Sequence, residues 1–265
     1  MDIYKGEGIV RVGGNSLNFA VQCLKSGAEQ VSLLGAVGND RYGDIIKNHL
    51  AKYDFDSTRL YTMVGRTASN KIYINERGDR YFEPDSWDGG LYETFKLSED
   101  DWQFFSMHDV IAMPAYDPNL LTALEKKTPR NKLVADFLDT RNFEYMEKVI
   151  PQIAIGSISG NAEVIDRLMP LSSATEAVIL VTLGAKGSAV LFKGRQFHMQ
   201  ALPVEKVVDT TGCGDAYLAA FAVSWHRSGD IEGAMLAGSK AAALVLAHIG
   251  GVEDDEENMA ADCYL

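Results

Sequence analysis

The stretch DTTGCGD, at Asp209–Asp215, runs directly into the apolar segment AYLAAF at Ala216–Phe221. Glycines at 212 and 214 let the backbone N–H groups of a tight turn converge without obstruction by side chains. A helix that begins here adds the positive end of its dipole, so the turn favours an anion such as a phosphoryl group. The sequence therefore predicts an anion site at the start of a buried helix.

Asp215 lies at the end of this turn and has two possible roles. A carboxylate in the first turn of a helix commonly caps the free N–H groups there. A carboxylate beside a phosphate site can also accept the proton of an attacking hydroxyl, as phosphoryl transfer requires. The motif alone is compatible with both interpretations.

Short β-branched runs alternate with amphipathic stretches along the rest of the chain. The runs are nearly all apolar, which is typical of strands covered on both faces. This βαβ rhythm predicts an α/β fold, a three-layer αβα sandwich around a mostly parallel sheet. The predicted strands are Val31–Gly35, Val110–Met113, Lys132–Asp136, Ile153–Ile155 and Ala177–Leu183. The predicted helices are Ser16–Ser26, Tyr42–Tyr53, Asn119–Lys126, Phe143–Val149, Asn161–Met169, Cys213–Arg227 and Ile231–His248.

Two segments break this rhythm and are typical of β-hairpins. Ser69–Asn75 alternates polar and apolar residues, turns at Glu76–Asp79 and continues into Arg80–Phe82. The second hairpin joins Ser188–Phe192 to Gln196–Met199. We interpret the first as part of a small β-sheet lid, formed by segments about 2–12 and 65–90 of a single domain spanning residues 1–265. Because Met1–Gly8 is polar, we also expect the sequence to begin just after its first core strand.

Composition excludes several classes of protein. The 265 residues include 46% hydrophobic and 23% charged residues, which suits one globular domain with a sizeable core. The net charge of −12 argues against nucleic acid as a partner, because its phosphates need clustered Lys and Arg. No apolar run reaches the roughly 20 residues of a membrane span. Cys23, Cys213 and Cys263 have no metal-binding spacing, so we expect reduced thiols and a cytoplasmic protein.

The DTTGCGD stretch resembles the C-terminal signature of the ribokinase-like (PfkB) carbohydrate kinases, DTxGAGDxF. Three more segments are similar to elements of that family, in the same order and at similar spacing: Gly13–Asn18 (GGNSLN), Val37–Gly43 (VGNDRYG) and Val181–Gly187 (VTLGAKG). The resemblance covers nearly the whole chain. It implies a ribokinase-like fold and the ATP-dependent phosphorylation of a sugar hydroxyl.

The same resemblance implies a role for each matching residue. Asp215 would be the general base, and the amides of Gly212, Cys213 and Gly214 would form the anion hole. The sugar would contact Asp2, Gly13, Gly14 and Asn18, together with Arg66 of the lid. The nucleotide would be bordered by Thr182, Gly184, Lys186 and Gly187, with Mg²⁺ near Glu163 and a monovalent cation such as K⁺ also compatible.

Two departures from the family pattern affect these expectations. Cys213 replaces the usual alanine of the anion turn, so its thiol either has a lowered pKa at the helix N-terminus or is a small apolar substitute. Ser157–Val164 (SISGNAEV) is a degraded form of the family's N-x-x-E element: Gly160 stands where Asn is usual, and Asn161 is adjacent. Glu163 remains the candidate acidic residue.

Several blocks are similar to the fructoselysine 6-kinases: DIY at residues 2–4, Leu97–Trp102 (LSEDDW) and Ala135–Asp139 (ADFLD). Ribokinase, fructokinase and 2-keto-3-deoxygluconate kinase remain alternatives, as does an inactive relative that only binds sugar or nucleotide. The expected partners are a small-molecule sugar and ATP. The lid hairpin offers strand edges through which a homodimer can form.

Overall fold

The computed structural model describes residues 1–6, 8–253 and 259–260. They form two compact units, each assembled from separate stretches of the chain. The first unit comprises the described residues of Met1–Phe95, Val204–Ala219 and Ala241–Leu265, and the second comprises Lys96–Pro203 and Ala220–Lys240. The single domain expected for residues 1–265 stays a prediction.

The elements alternate along the chain as the sequence pattern predicts. The strands are β1 Asp2–Tyr4, β2 Ile9–Arg11, β3 Val31–Gly38, β4 Phe55–Met63, β5 Ser69–Ile74, β6 Arg80–Tyr81, β7 Trp87–Asp88, β8 Val110–Pro114, β9 Lys132–Asp136, β10 Ile155–Ser159, β11 Val178–Thr182, β12 Ser188–Phe192, β13 Arg195–Met199 and β14 Met259–Ala260. The helices are α1 Asn15–Lys25, α2 Arg41–Leu50, α3 Glu99–Ser106, α4 Leu120–Lys126, α5 Phe143–Val149, α6 Ala162–Ser173, α7 Cys213–Ser228 and α8 Ile231–Val245.

The small sheet of the first unit contains the two predicted lid segments. Strand β1 pairs in antiparallel with β2 and in parallel with β5, and β5 continues into the hairpin with β6 and also pairs with β7. Asp2–Tyr4 is thus a strand paired on both sides, within the segment 2–12 that was predicted to form part of the lid. Its polar side chains serve the contacts described below, which is why hydrophobic patterning alone does not mark it as a strand.

The rest of the first unit packs helices α1 and α2 beside the parallel pair β3–β4. Its core includes Val12, Leu17, Val21, Val37 and Ile46. Strand β4 was not predicted from the sequence because its polar residues are exposed and its pattern lacks a continuous apolar run.

The second unit is built on a six-stranded sheet in the order β13-β12-β11-β10-β9-β8. Strands β8 to β11 run in parallel, and β12 and β13 add an antiparallel hairpin, as predicted. Its core includes Phe137, Ile158, Leu168, Ile179 and Leu191. Among the described residues, none of the helices combines the length and the apolar character needed to cross a bilayer.

Candidate functional site

The turn before α7 depends on glycine at position 212. Gly212 has a φ of 75°, and a Cβ there would overlap the backbone of Gly251. Only glycine tolerates both the left-handed conformation and this close approach. The N–H of Cys213 donates to the carbonyl of Thr210 at 3.3 Å, which closes the turn just before the helix begins. A tight turn is therefore present before α7, with one of its amides engaged in the turn, and its binding of an anion stays a prediction.

Two asparagines of α1 hold the carboxylate of Asp215. Asn15 Nδ2 donates to Asp215 Oδ1 at 2.7 Å, and Asn18 Nδ2 donates to Asp215 Oδ2 at 2.8 Å. Residues three positions apart lie on the same face of a helix, so α1 presents both amides together. Each carboxylate oxygen has more than one acceptor position, which leaves Asp215 able to accept a further proton donor. The sequence singled out Asn18 and missed Asn15, although both lie in GGNSLN.

A second carboxylate, Asp2, lies against the glycines that precede α1. A Cβ on Gly13 would overlap Asp2 Oδ2, so glycine is needed for the carboxylate to fit. Gly14 has a φ of 108°, which also favours glycine. Burial raises the pKa of Asp2 above its ordinary value, against the opposing charges of the Met1 ammonium and, to a smaller extent, Arg80. The structure thus brings Asp2 next to the Gly13–Gly14 turn, and their contact with the sugar stays a prediction.

Asp209 anchors the turn from beneath, and it is completely buried. Its Oδ1 accepts from the backbone N–H and the hydroxyl of Thr211, at 2.8 and 2.7 Å. Its Oδ2 accepts from the Tyr4 hydroxyl at 2.6 Å and from the Gly250 N–H at 2.9 Å. Burial and the nearby Asp209 charge raise the pKa of Tyr4, so its hydroxyl keeps the proton it donates. Tyr4 was not identified from the sequence, because nothing local reveals a contact 205 residues away.

The thiol of Cys213 does not have a lowered pKa. Burial raises the pKa of this thiol to about 11, and its Sγ lies 3.8 Å from the carbonyl of Ala242. Desolvation outweighs the charge of Arg80 here, which argues against a reactive thiol and supports the small-substitute interpretation. Cys23 is likewise a buried free thiol, and Cys263 lies outside the described residues.

In the second unit, the predicted nucleotide residues follow strand β11. Thr182 ends that strand, and its hydroxyl lies 3.2 Å from the hydroxyl of Ser159 at the end of β10. Gly184 and Gly187 both have positive φ, of 59° and 89°, and Lys186 between them is exposed. A Cβ on Gly187 would overlap the Met199 carbonyl. The carboxyl ends of parallel strands commonly bind ligands in α/β proteins.

Glu163 lies in the first turn of α6 and is exposed. The preceding Gly160 is packed so closely against Val164 and Val181 that a larger residue would not fit without a shift. Asn161 instead caps α6, accepting from the Val164 N–H at 3.1 Å. The asparagine of the family's N-x-x-E element is thus replaced by a glycine that the local packing requires.

Arg66, predicted to contact the sugar, forms an ion pair with Asp88 at 3.1 Å, in which Arg66 is largely exposed and Asp88 is partly buried. Asp88 pairs with Ser69, so it faces the side of the sheet opposite to Asn70 and Trp87. The sugar contact of Arg66 stays a prediction.

Residues 4–258 of the chain match the sequence profile of the pfkB family carbohydrate kinases. The chain belongs to the pfkB family. This membership confirms the predicted ATP-dependent carbohydrate kinase. Each of the four motifs contains a glycine at a positive φ or at a close backbone contact, namely Gly14, Gly43, Gly187 and Gly212.

Curated members of the pfkB family align along almost the entire chain. The fructoselysine 6-kinase of Shigella flexneri is 30% identical, covering 94% of this chain and 95% of that protein. The fructosamine kinase of Bacillus subtilis is 26% identical, covering 92% and 86% respectively. Among solved structures, the adenosine kinase of Sinorhizobium meliloti has a TM-score of 0.76 at 20% identity, covering 94% of this chain and 81% of that one. The Arabidopsis thaliana ribokinase with ribose and ATP has a TM-score of 0.75 at 20% identity, covering 94% and 90%. These structures confirm the ribokinase-like fold.

Proposed function

We propose that this pfkB kinase phosphorylates a hydroxyl of a fructosamine such as fructoselysine, with Asp215 as the general base. The observation that carries the mechanism is the Asp215 carboxylate, held by Asn15 and Asn18 at the start of α7. A base must be fixed within hydrogen-bonding reach of the proton that it removes, and two amide donors provide that fixation.

Three acceptor groups are available to the hydroxyls of a sugar on this side of the first unit. Asp2 supplies a buried carboxylate beside Gly13. The amide oxygen of Asn18 is buried and has no hydrogen-bond partner among the described residues. A buried acceptor without a donor is costly, and a sugar hydroxyl would satisfy it. Asp215 is the third acceptor, for the hydroxyl that reacts.

The chemistry follows from these groups. The acceptor hydroxyl gives its proton to Asp215 while its oxygen forms a bond to the γ-phosphorus of ATP, and the bond from that phosphorus to the ADP oxygen breaks. The N–H groups at the Gly212–Gly214 turn and the positive end of the α7 dipole stabilise the negative charge of the transferring group. Thr182, Gly184, Lys186 and Gly187 are proposed to border the nucleotide.

Mg²⁺ is the proposed metal cofactor, and it would neutralise phosphate charge when bound with ATP. The described residues contain no cluster of three or more potential metal ligands. That fits a magnesium ion held mainly by nucleotide phosphates, with one protein carboxylate nearby, which Glu163 can supply. A dependence on K⁺ also remains part of the proposal.

The fructosamine assignment rests on the relatives that carry that activity in their names and align over nearly their full length. We further propose that the kinase works in the cytoplasm, where ATP is available, and forms a homodimer through the edges of β6 and β7. Short, exposed edge strands can pair with a second copy. Light scattering of the purified protein tests this dimer.

The test is ADP release with Mg·ATP against fructoselysine, other fructosamines, ribose, fructose and 2-keto-3-deoxygluconate. We expect the fructosamines to give the highest kcat/KM. Asp215→Asn should lower kcat by about 10³-fold, because a positioned base contributes about 10²- to 10⁴-fold. Preference for another sugar would refute the acceptor assignment. Near-wild-type turnover by Asp215→Asn would refute the mechanism.

A further inference from the structure

Three residues form a row across neighbouring strands of the small sheet. Asp2 of β1 pairs with Asn70 of β5, and Asn70 pairs with Trp87 of β7. Directly paired residues project from the same face of a sheet, so the three side chains lie side by side on one face. Since the Asp2 carboxylate lies against Gly13, this is the face that carries the proposed acceptor site.

Trp87 has the features of a binding platform. Its indole N–H donates to Glu93 Oε1 at 2.8 Å, and Tyr92 contacts it edge-on with centroids 5.9 Å apart at 84°. These two contacts fix the ring, yet Trp87 remains 50% exposed. A large aromatic side chain that is held rigid but left half open is typical of a residue that binds a ligand.

Asn70 supplies an independent indication of a ligand. Its amide oxygen is buried and has no hydrogen-bond partner among the described residues. Leaving a buried acceptor unpaired costs free energy, so such groups in folded proteins call for a donor. A ligand that lies along the row would meet this oxygen between the Asp2 carboxylate and the Trp87 ring.

The groups of the row all attract positive charge. Asp2 and Asn70 present oxygen acceptors, and the face of an indole is the strongest cation–π partner among side chains. Three cationic groups lie on or beside this face: the Met1 ammonium, Arg80 and Arg11, and the charges of the first two act on Asp2 at one end of the row. The two arginine backbones are distant from the Trp87 end. Arg11 of β2 pairs with Asp2, so its backbone lies three strand spacings, or about 14 Å, from Trp87. Arg80 of β6 pairs with Ile74, so its backbone lies about 13 Å from the level of Asn70, measured along β5.

We propose that Trp87 and Asn70 are specificity-determining residues that receive the ammonium group of a cationic acceptor. The inference rests on the proposed fructosamine kinase function and deepens it. The ammonium would donate a hydrogen bond to Asn70 Oδ1 and lie over the Trp87 ring, while the sugar hydroxyls occupy Asp2 and Asn18. The row thereby selects a sugar that carries an amine over a neutral sugar of the same shape.

The test compares two acceptors of equal length, 1-butylamino-1-deoxyfructose, which is cationic, and its neutral ether analogue 1-O-butylfructose. Wild-type kinase should prefer the amine. Trp87→Leu should raise KM for the amine roughly tenfold and leave kcat within about twofold, with little change for the ether. Trp87→Phe, which retains an aromatic face, should recover part of the loss. Asn70→Ala should raise KM for the amine several-fold.

Tyr81→Leu is the matched control, because Tyr81 is 46% exposed on the same sheet but pairs with Tyr73 on the opposite face. It should leave both KM values unchanged. The inference would be overturned, with the fructosamine assignment left intact, by any of three results. Trp87→Leu could raise KM equally for the amine and the ether, Trp87→Leu could change the oligomeric state measured by light scattering, or the wild-type kinase could show no preference for the amine. If the wild-type kinase phosphorylates fructose or ribose but neither butyl compound, both this inference and the fructosamine assignment are overturned.

Discussion

The regions around Asp215 and around Thr182–Gly187 both hold predicted ligand contacts, but they are built differently. Around Asp215, side chains from distant parts of the sequence bond to one another: Asn15 to Asp215, and Tyr4 to Asp209. In Thr182–Gly187 the backbone shapes the turn by itself. The Leu183 N–H donates to the Gly187 carbonyl at 2.8 Å, and the Gly187 N–H donates to the Gly184 carbonyl at 2.9 Å.

This difference teaches which changes each region can tolerate. A network of side chains fails when one donor or acceptor changes, even if the shape is kept. A turn made by backbone hydrogen bonds tolerates new side-chain chemistry, but it fails when a Cβ enters a space that only glycine leaves open. The predictions below test this contrast, beginning with the largest expected effect.

Replacing Asp209 with Asn should be the most damaging change to the side-chain network. The isosteric amide would place an N–H₂ group against donors that now bond to Asp209, leaving buried donors unpaired. We expect a loss of about 3 kcal/mol in the free energy of unfolding, together with most of the turnover. Urea denaturation measures the first, and ADP release the second. Tyr4→Phe, which removes one donor, should cost about 1 kcal/mol; equal effects of the two variants would contradict the network.

Asp2→Asn should raise the thermal stability of the protein while weakening its use of the acceptor. Because burial raises the pKa of Asp2, the native state disfavours the ionised carboxylate, which costs stability above its ordinary pKa of about 3.9. Asn removes that cost, so Tm should rise by a few degrees at pH 7, and the gain should vanish below about pH 4. The kcat/KM for the acceptor should fall roughly 10- to 100-fold, as an acceptor for its hydroxyls loses its charge. A lower Tm at pH 7 would show that Asp2 instead stabilises the fold.

Gly187→Ala tests the backbone-built region. The new Cβ would overlap the Met199 carbonyl at a φ of 89°, so we expect a loss of about 2 kcal/mol and a higher KM for ATP. Gly184→Ala is the matched control, since its φ is 59° but nothing lies within 4 Å of the added Cβ. It should cost about 1 kcal/mol, from the backbone conformation alone. Thermal unfolding of both variants decides whether close contact or conformation dominates.

Asp40→Asn tests whether a hydrogen-bonded carboxylate also stabilises the first unit away from Asp215. Burial acts to raise the pKa of Asp40, but hydrogen bonds from the Thr67 hydroxyl and backbone and from the Gly43 N–H outweigh it, so the pKa is lowered. Its contribution is therefore present above the ordinary pKa of about 3.9 and is lost as the pH falls through the native value. We expect Asp40→Asn to cost up to about 1 kcal/mol at pH 7, and less towards pH 3. A pH-independent difference would exclude this ionic contribution.

The sequence predicted those elements whose structure is encoded by a local pattern of residues, such as apolar periodicity or paired glycines. Helix Phe143–Val149 and strand Lys132–Asp136 have the predicted bounds, because their apolar periodicity reports burial directly. Glycine patterns also marked GGNSLN and DTTGCGD, where a Cβ would overlap Asp2 Oδ2 at Gly13 and the Gly251 backbone at Gly212, and where Gly14 has a φ of 108°. Helix α3 was missed although Ser98 and Asp101 form a capping box at its start, a signal that the sequence does contain.

The remaining features depend on contacts that no local pattern encodes. The pairing of Tyr4 with Asp209 joins residues 205 positions apart, and the raised pKa of Cys213 depends on burial by other segments. Strand Asp2–Tyr4 carries polar side chains because they serve the candidate site, so hydrophobic patterning argues against the strand it forms. In this strand, the polar residues that the candidate site needs are the ones that hide the strand from prediction by hydrophobic pattern.

The bonds from Tyr4 to Asp209 and from Asn18 to Asp215 have a consequence for the order in which the molecule assembles. They span 205 and 197 residues, so the candidate base is fixed only after nearly the whole chain has been synthesised. Contacts of such long sequence separation form late, because the entropy of closing the loop must be overcome first. A ribosome-bound chain that still lacks Asp209–Asp215 therefore lacks the proposed base, and by the proposed mechanism it cannot yet transfer a phosphoryl group.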